Sequence, residues 1–588
     1  MTRWIFDLES DGLLKQMTKL HCLVLRNPDT NEVRAYHGKD IKDGLFLLMN
    51  AEEVIGHNII AFDIPAIQKL YPDFEIVGRI TDTLVLSRLI ATTLAEKDTI
   101  RYRKNPESFP RKLVGSHSLK AWGLRLKNLK GDYDGGWEEY SQEMLDYCIQ
   151  DTEVTQALYK KLMSAEFSQQ SIDLEHLMAV ICDRIGNNGW TFDKYNAQVL
   201  YGKLAQERAT IEQGLEELFE PWEVSETFIP KRNNKTLGYI KDEPFEKKKT
   251  IHFNPSSRRH IEHCLRSKYN WKPSKFTDGG HAQIDETVLS KLDYPEAQQL
   301  ARYFMLQKRI GQLSEGAQGW LKKVDDDGRI RHTIVPSGTV SGRASHRNPN
   351  LSAVPKVGLE FGKECRELFT VPDGWCLLGS DLSGLELRAL SHYLNDGGEY
   401  AKQILEGDVH TYNAKAFGVD RPTAKTLVYA LIYGSGDQNL GKIAGGGAKR
   451  GKQLKADFNK NIPAFGMLLS NLKRAHERGY LVGIDGRKLY VRSEHKLLSQ
   501  LLQSAGAIIC KQWVALCDQE INEQYGSEQA YIVGWIHDEI QIACKTEEVA
   551  NGIGNITERM ARKAGETLKV KIPIGSEYSV GRTWSHTH

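Results

Sequence analysis

The sequence has no uncharged apolar run of about 20 residues, the length that a membrane-spanning helix needs. Its start, MTRWIFDLES, contains Asp7 and Glu9 where a secretory signal peptide would have an apolar core. Both features argue against a membrane protein and against a secreted one. We therefore expect a cytoplasmic protein.

Cysteine is scarce, and the net charge is small. The nine cysteines form no C-x-x-C pair, and no histidine cluster has zinc-site spacing, so we expect reduced, buried thiols. A formal net charge of +2 gives no strong overall field, so nucleic acid would have to bind local basic segments. Residues 101–112 and 231–259 are two such segments, although a charge run is also typical of an ordinary solvated surface.

The chain is long enough for two or more packed cores, with 588 residues of which 40% are hydrophobic. Short apolar strands alternate with helical segments over residues 1–165, which indicates an α/β unit. Long helix formers dominate residues 172–220. Residues 221–254 lose this periodicity and are rich in Pro, Asn, Gly and Lys, which predicts a loop or a small insertion.

Two acidic residues stand at the ends of apolar strands. Asp381 ends the run WCLLGSD, and Asp538 lies between AYIVGWI and EIQIACK. Two rigidly held carboxylates are what a pair of Mg²⁺ ions requires for phosphoryl transfer from a nucleoside triphosphate. Either acid alone is more often a turn residue than a metal ligand, so the interpretation depends on the residues around them.

The segment RPTAKTLVYALIYG has basic and aromatic residues at a spacing of four, which places them on one face of a helix. Asp420 is a suitable N-cap for this helix. The face would present cations to a triphosphate and rings to a base. An amphipathic helix with core tyrosines is the alternative, and the two cations on the same face argue against it. The stripe consists of Arg421, Lys425, Tyr429 and Tyr433.

Three segments in order resemble the motifs of the family A DNA polymerases: DLSGLELRALSHY, RPTAKTLVYALIYG and the HDE that contains Asp538. Further segments, such as DTLVLSRLI, FNPSSR, LQKRIGQ and LLQSAGA, are similar to those of the T7-type replicative polymerases of bacteriophages, and the resemblance covers nearly the whole chain. It implies a DNA-directed DNA polymerase that extends a primer 5′→3′ from dNTPs during phage genome replication.

The resemblance also implies a role for each matching residue. It implies two Mg²⁺ ions held by Asp381, Asp538 and the backbone carbonyl of Leu382, with Glu539 supporting the site. Glu386 stands where the family blocks a ribose 2′-hydroxyl. Tyr429 stands where a tyrosine goes with acceptance of dideoxynucleotides. The residues implied to bind the incoming nucleotide are His410, Arg421, Lys425, Tyr429 and Tyr433.

Three more matches imply contacts with primer-template DNA. Arg343 lies in TVSGRASHRNPNLSAVP, Gln503 lies in LLQSAGA, and His537 precedes Asp538 at the position implied to touch the primer end. Acceptors in the minor groove are nearly the same on all base pairs. Donors from Arg343 and Gln503 can therefore test pairing without reading sequence.

A second set of acids occupies the first part of the chain. Asp7 and Glu9 are two residues apart on a predicted strand, so both side chains lie on one face. Asp63 follows in GHNIIAFD. Tyr147 and Asp151, in YCIQD, are four residues apart on a predicted helix and lie on one side of it. Hydrolysis by two metals needs such a group of acids and a residue that orients water.

A single D-x-E pair is a weak signal, but the ordered set resembles the DnaQ-like 3′→5′ exonucleases of the DEDDy type. The resemblance implies an intrinsic proofreading exonuclease with two Mg²⁺ ions, for which Asp7, Glu9 and Asp151 are ligands. Asp63 and Tyr147 complete the implied catalytic set. All the acids are present, so we expect an active exonuclease.

These matches predict an α/β multidomain fold, in which an RNase H-like exonuclease precedes a right-hand polymerase with palm, fingers and thumb. We predict the exonuclease at residues 1–165, the thumb and the start of the palm at 166–350, and a short basic insertion at 221–252. The palm is predicted at 351–400 and 481–588, and the fingers at 401–480.

The expected partners are primer-template DNA and dNTPs. A phage setting also implies a replicative helicase-primase, and it would place the protein in the cytoplasm of the host cell. T7-type polymerases capture thioredoxin with a long thumb loop, whereas this chain has only residues 221–252 before FNPSSR. We therefore expect no thioredoxin dependence, and the basic residues there are hypothesised to hold duplex DNA directly.

Two other functions fit parts of this pattern. A template-directed RNA polymerase shares the chemistry, but Glu386 and the exonuclease motifs argue against it. A catalytically decayed DNA-binding scaffold is the other, and the intact Asp381, Asp538, Arg421 and Lys425 argue against that.

Overall fold

The computed structural model describes residues 2–107, 109–128, 131, 133–277 and 279–587. The chain forms two compact units. The larger consists of Met1–Thr191 and Arg331–His588, and the smaller consists of Phe192–Ile330. Each unit has its own hydrophobic core. No helix among the described residues is both long enough and apolar enough to cross a bilayer.

The first part of the larger unit is built on a five-stranded sheet with the strand order β3-β2-β1-β4-β5. Neighbouring pairs from β1 to β3 are antiparallel, whereas β1, β4 and β5 run parallel. The strands are β1 (Arg3–Ser10), β2 (Leu20–Arg26), β3 (Val33–His37), β4 (Glu53–Gly56) and β5 (Arg79–Asp82). The helices around them are α1 (Ile41–Met49), α2 (Asp63–Leu70), α3 (Thr83–Ile90), α4 (Leu94–Lys104), α5 (Leu119–Leu126) and α6 (Gln142–Met163).

Alternation along β1 decides what each face of the sheet packs against. Phe6 and Leu8 join the core that also contains residues of α1 and α2. Ile5 belongs to the opposite core, with residues of α3 and α6. Asp7 and Glu9 follow Ile5 at intervals of two, so they share the face that α6 covers.

A long helix, α7 (Gln169–Asn188), leads from this sheet to the rest of the larger unit, and β6 (Trp190–Phe192) follows it. Ser168 is the N-cap of α7 and accepts a hydrogen bond from the backbone N–H of Ser171. The neighbours Glu175 and His176 face different parts of the unit. Glu175 forms an ion pair with Lys511, whereas His176 Nε2 accepts a hydrogen bond from the backbone N–H of Asp82 at 2.9 Å.

The smaller unit is mainly helical. Its core contains Leu215, Phe253, Leu265 and Leu300, together with further residues of its helices. Its elements are α8 (Lys194–Leu218), β7 (Trp222–Phe228), β8 (Phe245–Ile251), α9 (Arg258–Tyr269), α10 (Glu286–Leu289), α11 (Pro295–Ile310), a π-helical turn at Gly311–Glu315, α12 (Trp320–Lys323) and β9 (Arg329–Ile330).

The segment at 221–254 is a hairpin and not a loop. Strands β7 and β8 pair in antiparallel register from Trp222↔Ile251 to Phe228↔Phe245. Phe228, Tyr239 and Phe245 pack edge-on at the far end, with ring centroids 4.6 to 6.0 Å apart. The charged residues between the large apolar ones mask the alternation of a strand pair in the sequence.

The second sheet of the larger unit has four antiparallel strands in the order β16-β17-β13-β18. Two long helices, α21 and α22, share one core with it. The elements that lead to and complete this sheet are β10 (Thr333–Val335), β11 (Ser345–Arg347), α13 (Gly362–Glu367), β12 (Phe369–Thr370), β13 (Cys376–Leu382), α21 (Leu497–Gln524), β16 (Ala530–Ile536), β17 (Glu539–Cys544), α22 (Glu547–Thr567) and β18 (Ser576–Gly581).

Helices dominate the chain between β13 and α21, and they enclose a separate core that includes Leu390, Phe417, Leu427, Phe458 and Phe465. The elements here are α14 (Leu385–Tyr393), α15 (Glu399–Leu405), α16 (Val409–Phe417), α17 (Arg421–Ile432), α18 (Asp437–Ile443), α19 (Ala448–Asn461), α20 (Pro463–Glu477), β14 (Leu481–Val482) and β15 (Lys488–Leu489).

Candidate active sites

Strand register brings the acids of the second sheet together. In the pairing of β13 with β17, Asp381 lies opposite Glu539. The next residue, Leu382, donates its backbone N–H to the carbonyl of Asp538 at 3.1 Å. The turn that carries Asp538 is therefore fixed beside the end of β13.

Burial and neighbouring carboxylates change the acidity of this group. Burial first, and then Asp538 and Glu539, raise the pKa of Asp381 to about 7. Burial, followed by the charge of Glu386, also raises the pKa of Asp538. Glu577, which lies opposite Asp381 on β18, adds a further negative charge. Oxygen donors crowded in this way fit a hard divalent cation, which would relieve their mutual repulsion.

The turn between β16 and β17 is conformationally strained. His537 has a positive φ of 60°, which is unfavourable for a residue with a side chain. Its carbonyl accepts hydrogen bonds from Trp535 Nε1 and from the thiol of Cys510, both at 3.1 Å. These bonds hold the turn in the conformation that presents His537 and Asp538.

A cavity of about 260 Å³ opens beside these acids. On its wall, the phenol of Tyr433 donates a hydrogen bond to Glu386 Oε1 at 2.6 Å. Arg343 Nη2 lies 3.9 Å from the same oxygen. Burial and Glu386 raise the pKa of Tyr433 to about 12, so the phenol keeps its proton. The cavity is lined by Arg343, Ala344, Lys356, Leu385, Glu386, Tyr433, Leu502, Gly506, Ala507, Trp535, His537 and Asp538.

Gln503 lies on α21 between two residues of this wall, Leu502 and Gly506, and is half-buried. Gln500, one turn earlier, donates to the carbonyl of Val340 at 2.7 Å. This bond joins α21 to the loop that carries Arg343.

Helix α17 begins as the sequence predicted, because Asp420 accepts a hydrogen bond from the backbone N–H of Thr423 at 2.9 Å. Arg421 forms an ion pair with Asp408 at 2.6 Å. Asp408 is in turn the N-cap of α16, where it accepts from the backbone N–H of His410 at 3.0 Å.

Basic side chains of α16 and α17 lie close together. Burial, and then the charges of Lys425 and Arg421, lower the pKa of His410. The imidazole of His410 also lies 6.4 Å from the ring of Tyr429, centroid to centroid. His410 of α16 therefore lies beside the predicted stripe of α17. Together, Arg421, Lys425 and His410 form a cationic surface that suits a triphosphate.

The acids of the first sheet form a second group. Ligand atoms of Asp7, Glu9 and Cys148 all lie within 4.8 Å of one another. The thiol of Cys148 donates to Asp7 Oδ2 at 3.5 Å, which ties α6 to β1. Tyr147 and Asp151 lie on the same turns of α6 as Cys148, and Asp151 is only 2% exposed.

Asp63, at the N-terminus of α2, completes this group. Its carboxyl is 4% exposed, and burial, followed by the charges of Asp7 and Asp82, raises its pKa well above the usual range. The backbone N–H of Leu8 is a hydrogen-bond donor to it. The structure therefore places Asp7, Glu9 and Asp63 together, with Tyr147 and Asp151 on the helix that Cys148 joins to them.

Some residues of these sites were not expected from the sequence. Asp408 could have been found as an N-cap candidate before VHT. Glu577 and Cys148 carry no local signal, because their positions depend on strand order and on helix packing.

The model of the DNA polymerase family A matches residues 229–586, which is more than half of the chain. This chain is a family A DNA polymerase. The DNA-directed DNA polymerases of Enterobacteria phage T3 and Escherichia phage T7 are each 34% identical to it, over 99% of this chain and 100% of the relative.

This similarity confirms the predicted DNA-directed DNA polymerase activity of the T7 type. The alignments extend over 708 positions, whereas this polymerase has 588 residues, so the relatives carry insertions. Among solved structures, the POL domain of Pol1 from M. smegmatis, in complex with DNA primer-template and dNTP, superposes with a TM-score of 0.72. It is 17% identical and covers 99% of this chain and 96% of that chain, which confirms the predicted polymerase fold.

Proposed function

We propose that this polymerase extends a primer 5′→3′ from dNTPs with Asp381 and Asp538 as the catalytic acids. The register that sets Asp381 opposite Glu539 and beside Asp538 is the observation that carries the proposal. Two Mg²⁺ ions, when bound, would activate the primer hydroxyl and stabilise the leaving pyrophosphate. Asp381, Asp538 and the carbonyl of Leu382 would hold them, and Glu539 supports the site.

The cationic surface on α16 and α17 binds the triphosphate of the incoming dNTP. Arg421, Lys425 and His410 lie close together there, and they stabilise phosphate charge as it shifts during transfer. Tyr429 and Tyr433 follow on the same helix and stack near the base. The hydrogen bond from Tyr433 holds Glu386 in the place where a ribose 2′-hydroxyl would clash.

The primer-template is held on the side of Arg343, Gln503 and His537. Arg343 and His537 line the same cavity as Asp538, and Gln503 follows Leu502 of that wall. Donors from Arg343 and Gln503 reach minor-groove acceptors that are common to all base pairs. A mispair displaces these acceptors and weakens both contacts, and His537 contacts the primer end.

Proofreading resides in the first sheet. We infer that Asp7, Glu9 and Asp151 hold two Mg²⁺ ions there, with Asp63 completing the acidic group and Tyr147 orienting the attacking water. Support comes from the proximity of Asp7, Glu9 and the Asp63 carboxyl, all of them beside α6 or α2. An intrinsic 3′→5′ exonuclease then removes a mismatched 3′ nucleotide.

The domain roles follow from these sites. We assign residues 1–165 to the exonuclease, 166–350 to the thumb and the start of the palm, 351–400 and 481–588 to the palm, and 401–480 to the fingers. The setting is phage genome replication, with a replicative helicase-primase as the partner. The short hairpin of β7 and β8 supports independence from thioredoxin, because it offers no long loop to capture it.

A labelled primer-template assay in Mg²⁺ tests both activities. With dNTPs, the wild type should give long products that Asp538→Ala abolishes. Without dNTPs, it should degrade the 3′ end, and Asp7→Ala should abolish that while leaving extension intact. Asp11→Ala is the matched control, because Asp11 lies on the same segment and its carboxylate accepts hydrogen bonds from Thr18 and Lys19.

Each alternative function has its own result in this assay. Extension with ribonucleotides alone would indicate an RNA polymerase. Absence of any metal-dependent extension would indicate a decayed scaffold. Degradation that survives in Asp7→Ala would refute the exonuclease assignment only, and longer products with added thioredoxin would refute independence from it.

A further inference from the structure

A cavity of about 150 Å³ lies inside the larger unit, and none of the residues proposed above as catalytic lines it. One part of its wall comes from the first sheet and its helices, and the other part from α7 and from the segment that contains β10 and β11. The polar residues of its wall that bear on ligand binding are Asn58, Asp82, Arg88, Asp183, His332 and Arg347.

His332 presents unused hydrogen-bonding groups to this cavity. The side chain is only 5% exposed, and neither ring nitrogen has a hydrogen-bond partner within the described part of the chain. The ring stacks on His346 with centroids 5.6 Å apart. Leaving such a buried group without a hydrogen bond is unfavourable, so a ligand that pairs with it is bound more tightly.

The charge state of His332 follows from its surroundings. Burial, and then His346, lower the pKa of His332 to about 3, so the ring is neutral near pH 7. A neutral imidazole has one N–H donor and one lone pair. The cavity therefore contains an N–H donor that no protein group uses among the residues the structure describes.

Two arginines approach each other at the same cavity. Burial, and then the charge of Arg347, lower the pKa of Arg88 to about 10. Among the described residues, neither guanidinium makes a hydrogen bond or an ion pair with a carboxylate at salt-bridge distance. The charge of Asp82 acts on Arg88, but the Asp82 carboxylate already accepts hydrogen bonds from the backbone N–H groups of Asn58, Ile60 and Leu84, at 2.8 to 3.2 Å.

Asp183, the other acid of the cavity wall, repels a bound anion only weakly. Burial raises the pKa of Asp183 to about 6, and its carboxylate accepts a hydrogen bond from Asn187 at 2.9 Å. At slightly acidic pH this carboxyl keeps its proton and becomes a donor. Two guanidinium groups that form no salt bridge with a carboxylate among the described residues, together with an unused N–H, are the donors that a phosphoryl group requires.

We propose that this cavity binds a small phosphoryl anion between Arg88, Arg347 and His332. A volume near 150 Å³ is that of a cavity that holds a benzene-sized ligand, which suits orthophosphate or pyrophosphate better than a whole nucleoside triphosphate. Pyrophosphate leaves the polymerase reaction and a deoxynucleoside monophosphate leaves the proposed exonuclease, so either product could supply this group. The binding proposal itself does not depend on the exonuclease.

Calorimetric titration of the full chain tests the proposal. Orthophosphate, pyrophosphate and dAMP are titrated separately in EDTA, so that no metal ion can hold a phosphate at either acidic group. We expect one site, weakened about tenfold or more by Arg88→Ala or Arg347→Ala, because each removes charge-assisted hydrogen bonds. His332→Phe should weaken binding as well, because the ring keeps its bulk but loses its N–H.

Two controls separate this site from other cationic surfaces. Arg34→Ala removes an exposed arginine that pairs with Glu32, and it should leave binding unchanged. Lys425→Ala removes a cation of the proposed triphosphate surface, and it should also leave this site intact. Arg347 is exposed, so its substitution should preserve folding, which extension of a primer will check.

The most tightly bound of the three anions identifies the source of the phosphoryl group. Unchanged affinity in both Arg88→Ala and Arg347→Ala would overturn the proposal. So would loss of binding in Lys425→Ala alone, which would place the anion at the triphosphate surface. Absence of binding for all three anions would also overturn it.

Discussion

The phenol of Tyr433 donates a 2.6 Å hydrogen bond to the carboxylate of Glu386. Tyr433 lies at the C-terminal end of α17 and Glu386 at the start of α14, so the bond joins two helices on the wall of the cavity that Asp538 also lines. It holds the carboxylate that we propose as the barrier to ribonucleotides.

Substitution of Glu386 by Ala should therefore relax sugar selection. Removal of the side chain opens space for a 2′-hydroxyl, and differences of this size in a pocket change selectivity by about 10–200-fold. Tyr433→Phe keeps Glu386 but removes the hydrogen bond that holds it, so we expect a smaller loss of selectivity against ribonucleotides than in Glu386→Ala. Single-nucleotide incorporation of dATP and ATP measures the ratio, and an unchanged ratio in Glu386→Ala would contradict the assignment.

Tyr429→Phe should reduce incorporation of dideoxynucleotides. The phenol hydroxyl offers a polar contact near the nucleotide, and loss of one hydrogen bond in a closed site costs about 0.5–1.5 kcal/mol or a factor of about 2–13. Incorporation of ddATP against dATP gives the measurement, and Tyr412→Phe on α16 is a control. Equal discrimination in wild type and Tyr429→Phe would refute this role.

Cys148→Ala should impair the exonuclease without affecting extension. The thiol donates to Asp7 Oδ2, and its loss leaves that carboxylate less firmly oriented. We expect a fall in 3′ degradation of about 2–10-fold, since one weak hydrogen bond is removed. Cys148→Ser retains a donor and should restore much of the rate, whereas Cys517→Ala, another buried cysteine, should have no effect. Wild-type degradation in Cys148→Ala would show that Asp7 is oriented by other groups.

Lys511→Met should destabilise the larger unit. Lys511 and Arg487 both pair with the fully buried Glu175, and Arg487 also pairs with Asp485 at 2.7 Å. Breaking a buried ion pair costs at most about 3–5 kcal/mol. Glu175 would keep Arg487 as a partner after the loss of Lys511, so we expect a cost below that limit. Calorimetry should show a lower unfolding temperature for Lys511→Met. The unfolding temperature of the double variant Glu175→Gln, Lys511→Met should fall less than that of Lys511→Met. An equal or greater fall in the double variant would argue against the ion-pair network.

The lysines of the β7–β8 hairpin should contribute to DNA binding. Lys247, Lys248 and Lys249 are exposed on β8. Replacement of all three by Ala should shorten the products made per binding event. It should also reduce the salt dependence of affinity, by about one unit of slope for each phosphate that is no longer neutralised. Glu223→Ala with Glu226→Ala on β7 is the matched control. Unchanged product length and salt dependence would show that the hairpin does not touch DNA.

Local sequence rules predicted much of this structure. The spacing of four in RPTAKTLVYALIYG and the N-cap Asp420 predicted helix α17, and the structure has it at Arg421–Ile432. Alternation placed Asp7 and Glu9 on one strand, β1. The hairpin at β7 and β8 was not predicted, because its strands are rich in charged residues and depend on aromatic contacts across the pair.

The sequence by itself determined which residues are available for chemistry and on which strands and helices they lie, because periodicity, caps and motifs act between near neighbours. Only the tertiary structure decided which of them meet. The pairing of β13 with β17 and β18 sets Asp381 beside Asp538, Glu539 and Glu577. Packing of α6 on β1 brings Cys148 to Asp7. Such contacts join residues far apart in the chain, and they depend on strand order and on packing that no local pattern encodes.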